Sequence, residues 1–164
     1  EGPKTPVPAL KGHTVICGFG RVGRVIGQSL AQGGHPFVVI DQDQRLVREL
    51  PGQGIPAITG YADSAAVLEQ AGLERARVLV IALPDALAVR QVVDYCRRLH
   101  PDLPIVACTH SEEELEYLHH LGINDAVMGE RELAAEMVRC TLRCLQPDAA
   151  GPEDTAQSKP QDRT

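Results

Sequence analysis

The chain has no tryptophan, two phenylalanines and three tyrosines, so aromatic residues fill only 3% of its 164 positions. Large rings cannot dominate its interior, and any core has to be aliphatic. Positive charge is also scarce. The 16 Lys and Arg are outnumbered by 22 Asp and Glu, giving a formal net charge of -6. With no basic cluster to offset that balance, the composition argues against a nucleic-acid face. No apolar run reaches the ~18 residues that read as a membrane-spanning helix, and no signal-peptide pattern opens the chain. The first residue is Glu1 rather than Met, as expected of a piece of a longer protein.

Cysteine motifs are missing too. The five cysteines are an odd number and form no C-x-x-C, so reduced thiols in a cytosolic setting are expected. Cys17 and Cys108 fall in apolar runs and read as small core residues. Cys140 and Cys144 lie one helical turn apart, two ligands short of a zinc site. Glu116 and His120 share the spacing of a metal pair and fall short in the same way. No nucleophile elbow or Ser/His/Asp arrangement is visible, and no internal repeat beyond an alternation of strands and helices.

With 43% hydrophobic residues the chain is still rich enough to bury a globular core. Its organising stretch is His13–Asp41, HTVICGFGRVGRVIGQSLAQGGHPFVVID. An apolar run, His13–Cys17, ends in Gly18-Phe19-Gly20-Arg21-Val22-Gly23. A segment with helical apolar spacing (Val22, Val25, Ile26, Leu30) runs to about Gln32, and Gly33-Gly34 closes it. A second apolar run, Phe37–Ile40, ends in Asp41. The order strand, glycine turn, helix, strand, acid is that of a dinucleotide-binding unit. Gly18 permits the tight turn, Gly20 lets a pyrophosphate approach the backbone, and Gly23 lets the helix pack closely. The unpaired N–H groups of the helix's first turn suit a phosphate. Asp41, with Gln42 beside it, is placed to accept hydrogen bonds from a ribose. Arg21 and Arg24 in the first turn oppose the helix dipole, a cost that a bound anion would reverse.

Residues 1–12 carry three prolines and read as an extended linker. Further strands are expected at Ile55–Thr59, Val78–Leu83, Ile105–Cys108 and Ala126–Met128. Helices are expected at Gln44–Leu50, Ala65–Ala71, Ala86–Leu99, Glu112–Leu121 and Gly129 to about Leu145. Val89, Val92, Val93, Cys96 and Leu99 mark the buried side of the fourth helix. Ser111 and Glu114 form a capping box for the fifth, and Gly122 ends it. Residues 147–164 are polar and proline-rich and read as a disordered tail. Six strands alternating with helices predict an α/β Rossmann-like fold over residues 13–146. It is a doubly wound parallel sheet of about six strands with helices on both faces. Its order should be 3-2-1-4-5-6, with a ligand crevice between strands one and four.

His110 follows the fifth strand at the carboxyl edge, where ligands bind in open sheets, and reads either as a solvated turn histidine or as a ligand contact or general base. Residues 13–146 are used up by the fold, leaving nothing for a substrate domain, so sensing is favoured over turnover. The alternative is a small NAD-dependent oxidoreductase or cofactor-binding subunit, with His110 as its proton donor.

VICGFGRVG, VVID, ITGYADSAAVLEQAGL, VLVIALPD and VMGERELAAEM together resemble the RCK/KTN (TrkA-N type) nucleotide-binding domain of Kef/YbaL-type cation:proton antiporters. That resemblance implies a regulatory, non-enzymatic domain on the cytoplasmic side of a bacterial inner membrane. It would be joined within a longer chain to a membrane transporter that moves potassium or another cation. It also implies a homodimer, paired through the sheet edge and late helices, that binds AMP, NAD(H), ADP or ATP. By position, Gly18, Phe19, Gly20, Arg21, Val22 and Gly23 would hold phosphates and Asp41 the ribose. Gly60, Tyr61, Ala62 and Asp63 take the place of the family's GDAT motif beside the adenine. The acid of that motif is Tyr61 here, with Asp63 two positions later. Ala82 and Leu83 would line the pocket, and Glu130 would border it. The ACTHSEEELE stretch after the fifth strand is acidic, so glutathione binding is not expected.

Overall fold

In a computed structural model the structure describes residues 7–123 and 125–146. The proposed tail at 147–164 and the first half of the linker lie outside them. The chain divides into two compact units, one up to Glu130 and one from Arg131 onward.

The first unit is built on six parallel strands: β1 (Thr14–Cys17), β2 (Phe37–Asp41), β3 (Ala57–Thr59), β4 (Val78–Ile81), β5 (Ile105–Thr109) and β6 (Asp125–Met128). Their order is β3-β2-β1-β4-β5-β6, as expected from the alternation of elements. Thr14–Cys17 lie in register with Phe37–Ile40 on one side and Val78–Ile81 on the other. This central trio is buried on both faces, which its near-continuous Val/Ile/Leu composition requires.

Helices α1 (Arg21–Gln32), α2 (Gln44–Glu49), α3 (Ala65–Gln70), α4 (Ala86–Leu99) and α5 (Glu112–His120) connect the strands. Three begin where an oxygen-bearing side chain meets an otherwise unpaired amide. Asp43 accepts from Arg45 and Leu46, Asp85 from Ala88, and Ser111 from Glu114. The capping box at α5 is displaced by one residue. The Glu114 carboxylate reaches the N–H of His110 at 2.9 Å instead of that of Ser111.

Two aliphatic cores flank the sheet. One gathers Val15, Cys17, Val38, Ile40, Leu68, Leu79, Ile81, Val89, Val92 and Cys96 against α3 and α4. The other gathers Ile16, Val39, Val47, Leu50 and Val80 with the two phenylalanines, Phe19 and Phe37. His13 precedes β1 rather than opening it. It is buried with Nε2 at 2.7 Å from the Ala71 carbonyl, where that nitrogen acts as donor.

Two expected faces turn out differently. Val22 and Val25 of α1 are exposed, as is Leu99 of α4. The buried residues of α1 are Gly23 and Gly27, with Ile26 and Leu30 partly covered. The rings of Phe19 and Phe37 come so close to Gly27 that a Cβ there would lie 2.7 Å from Phe19 Cε2. The helix therefore approaches through its glycines, and its valines are turned outward.

The second unit consists, among its described residues, of most of α6 (Gly129–Leu145). None of the helix's residues is buried, and Leu133, Met137, Val138, Leu142 and Leu145 are all exposed. Glu136 pairs with Arg139 within it, and the Thr141 hydroxyl donates to the Met137 carbonyl at 2.8 Å. No helix among the described residues is long and apolar enough to cross a membrane.

Candidate functional site

The turn from β1 into α1 owes its shape to three glycines with different duties. Gly18 has φ +92°, a conformation that L side chains rarely adopt, and a Cβ there would stand 2.5 Å from the Ala82 carbonyl oxygen. At Gly23 a Cβ would stand 2.1 Å from the Gly18 carbonyl oxygen, so the helix start rests directly on the turn. At Gly20 nothing lies within 4 Å of the Cβ position. The first two glycines make room for protein, and the third leaves room unfilled.

That unfilled room is part of a cavity of about 510 Å³ at the carboxyl edge of the sheet. Strand order decides what surrounds it. The β1 turn, with Gly18 and Gly20, lies between the ends of β2 and β3 on one side and the end of β4 on the other. The β2 and β3 ends bring Asp41, Gln42, Gly60, Tyr61, Ala62 and Asp63; the β4 end brings Ala82 and Leu83. Each of these was singled out in the sequence.

Asp41 is held from two sides. Its Oδ2 accepts from the N–H of Phe19 at 2.8 Å and its Oδ1 from the N–H of Asp43 at 2.9 Å. Its backbone carbonyl accepts from Gly60 at 3.0 Å. The carboxylate at the end of β2 thus braces the glycine turn beside it.

Other expected site residues are placed differently. The Phe19 ring is buried in the core and its N–H is taken by Asp41, so neither group faces the cavity. Arg21, Val22 and Gly23 do not line the cavity either; they form the first turn of α1, which starts at its rim with Gly20 as the uncapped N-cap. Arg24 turns its Nε to the Phe19 carbonyl at 3.2 Å. His110 is exposed and is not among the lining residues, nor is Glu130. Lining residues that sequence reasoning missed are Ile40, Pro84, Asp85 and Ala88. The available signal was the Pro84-Asp85 pair, a helix-start pattern directly after the fourth apolar run.

Among the described residues no cluster of His, Cys, Asp and Glu could hold a metal ion. Burial pushes the Cys17 thiol far up from its ordinary range and the Cys96 thiol up to about 11. Both belong to the core beneath the site and offer no nucleophile to it.

A doubly wound parallel sheet, with a cavity over its glycine turn and an acid ending β2, defines a Rossmann-like α/β domain. Within that class the TrkA-N domain family matches residues 14–129, and the chain belongs to it. YbaL of Escherichia coli (strain K12), a cation/proton antiporter by name, is 35% identical over 126 residues, which are 77% of this chain and 23% of that protein. The crystal structure of the TrkA-N domain of that inner membrane protein has 34% identity and a TM-score of 0.75, covering 84% of this chain and 98% of that one. KefC of Enterobacter sp. (strain 638), a glutathione-regulated potassium-efflux system protein, is 29% identical over 133 residues, 81% of this chain and 21% of that one. The GsuK channel bound to NAD has 25% identity and a TM-score of 0.64, covering 72% of this chain and 21% of that one. The chain therefore spans under a quarter of the length of YbaL and of KefC.

Proposed function

We propose that this chain is the nucleotide-sensing domain of a bacterial inner-membrane antiporter that exchanges potassium or another cation for protons. An adenine nucleotide occupies the cavity over Gly20. Its phosphates meet the first-turn amides of α1, its ribose meets Asp41, and its base lies by Tyr61–Asp63. The observation that carries this reading is the empty space above Gly20, next to a helix end with no side-chain cap and no acid in its first turn. The NAD bound to the GsuK channel and the potassium-efflux role of KefC support the ligand class and the setting.

The domain works by binding rather than turnover. Among the described residues no histidine, the side chain most used for proton transfer near neutral pH, lines the cavity. Ligand shifts the transporter only by binding more tightly to one of two domain arrangements. The natural element with two arrangements is a homodimer, for which the exposed apolar residues of α6 offer the contact.

Calorimetric titration of the purified chain with AMP, ADP, ATP, NAD+ and NADH tests this reading, with NADH consumption followed in parallel. Saturable binding without consumption is the expected result. Steady NADH oxidation would favour an oxidoreductase, and silence toward all five ligands would remove the site.

A further inference from the structure

The segment that leads into β1 is fastened at the amino edge of the sheet. The Gly12 N–H donates to the Arg75 carbonyl at 2.8 Å, and Arg75 Nε donates to the Leu10 carbonyl at 3.1 Å. Val7 and Leu10 are partly buried against the core cluster that holds Leu68, Ala71 and Leu73. One residue on, His13 completes the attachment. Its Nε2 donates to the Ala71 carbonyl at 2.7 Å, and its own carbonyl accepts from the Arg77 N–H at 2.8 Å. Arg75 is exposed and also pairs with Glu74, so it acts from outside the core, as a clasp over residues 7–12.

The element that carries this clasp begins at the cavity. Gly60–Asp63 lines the cavity at the carboxyl edge, and Ser64 opens α3 directly after it. The helix crosses to the amino edge, where the 3₁₀ turn Leu73–Arg75 closes it. Its near end lies against the cavity loop, because a Cβ on Gly60 would stand 2.6 Å from Val67 Cγ2. Ala62 of that loop belongs to the same core cluster as Leu68 and Ala71. The helix itself has six residues, of which Leu68 is the buried one. So short a helix has little stability of its own and takes its order from what holds its two ends. One end is held by the cavity loop and the other by residues 7–13.

We propose that residues 7–12 form a strap latched by Arg75, and that α3 couples this latch to the cavity, so that a nucleotide resting on Tyr61–Asp63 tightens the strap. The coupling rests on the reading of the cavity as a nucleotide site; the latch does not. Tyr61 is 68% exposed, so a ligand placed against it restricts a loop that few contacts restrain. A ligand that orders the loop bears part of the cost of ordering α3, and the strap then docks at a smaller cost. By linkage, tension drawn on residues 7–12 from the amino-terminal side opposes ligand binding.

Hydrogen exchange at the Gly12 amide, followed by NMR on the 164-residue chain, reads the latch directly, because that amide is bonded across it. Gly122 is the reference, its N–H bonded to the His119 carbonyl at 2.9 Å after α5. Arg75→Ala should speed exchange at Gly12 about fivefold, the scale of one hydrogen bond, and leave Gly122 and the melting temperature near wild type. A Gly12 rate unchanged in Arg75→Ala overturns the latch. Leu10→Ala, which removes the apolar anchor, should also speed Gly12, and it decides the strap if Arg75→Ala does not fold. Each of AMP, ADP, ATP, NAD+ and NADH that binds by calorimetry should, at saturation, slow wild-type Gly12 about fivefold, the low end of typical coupling, and leave Gly122 unchanged. A bound nucleotide that leaves Gly12 unchanged, or slows Gly122 equally, overturns the coupling while the cavity reading stands. Binding of none of the five removes the cavity reading and the coupling together, and the ligand-free rates still decide the latch.

Discussion

The N–H of Phe19, in the middle of the glycine turn, donates to Asp41 Oδ2 across the β1–β2 boundary at 2.8 Å. A residue expected to touch phosphate is instead tied to the residue expected to touch sugar. The tie places two duties on one carboxylate. It braces the turn through Phe19 and Asp43, and lone pairs not used there are left for a ribose.

Replacing Asp41 should therefore be felt in both folding and binding. Asp41→Ala leaves the Phe19 amide without its partner, which should lower unfolding free energy by about 1–2 kcal/mol. It should also weaken ribose-bearing ligands by roughly 1.5–3 kcal/mol. Chemical denaturation and calorimetry on the same preparation read the two losses separately. Affinity equal to wild type for every adenine nucleotide would take Asp41 out of the site.

The three glycines of the turn should separate cleanly. Gly18→Ala and Gly23→Ala each force a Cβ into a backbone carbonyl, and each should cost ~2 kcal/mol or more of stability. Gly20→Ala meets nothing within 4 Å, so its melting temperature should stay close to wild type. Gly20→Val should fold and lose nucleotide binding, because its branches occupy the space reserved for phosphate. A folded Gly20→Val that binds at full strength would show that the ligand does not approach this backbone.

Thiol labelling of the native chain should follow burial. Cys17 and Cys96 are fully covered and have thiols raised by desolvation, so both combine poor access with little thiolate. Cys144 is exposed. Iodoacetamide followed by peptide mass spectrometry should modify Cys144 in the folded chain, and Cys17 and Cys96 only after denaturation. Native labelling of Cys17 would contradict its place at the end of β1.

Oligomeric state should depend on α6. Leu133→Glu together with Leu142→Glu places charge on a helix with no buried residue to lose, so the fold of residues 14–129 should survive. Sedimentation equilibrium should show a dimer for the wild type and a monomer for the double variant. A wild-type monomer at all accessible concentrations would rule out the proposed contact.

Much of this architecture was written in local patterns. The runs at Val15–Cys17, Val38–Ile40 and Val78–Ile81, with the turn residues between them, specify a parallel sheet and its order. The cavity residues from β2 and β3 follow from the position of Asp41 and the Gly60–Asp63 turn. One feature needed contacts between distant residues. The valines of α1 have helical spacing that is equally regular whether they face in or out. Only the pressing of Phe19 and Phe37 onto Gly27 decides that Val22 and Val25 face solvent. The place of Pro84, Asp85 and Ala88 at the cavity is hidden in the sequence for a simpler reason. The fourth apolar run continues to Leu83 in sequence, but the strand stops at Ile81, so the loop over the cavity begins two residues early.

The lack of tryptophan has an optical consequence. Of the three tyrosines, Tyr95 and Tyr117 donate their hydroxyls to the carboxylates of Glu69 and Asp94, partners that quench phenol emission. Tyr61 is 68% exposed and stands at the mouth of the cavity. With no indole to drain its excited state, Tyr61 is a built-in fluorophore, and a purine settling against it would announce itself without any dye or label.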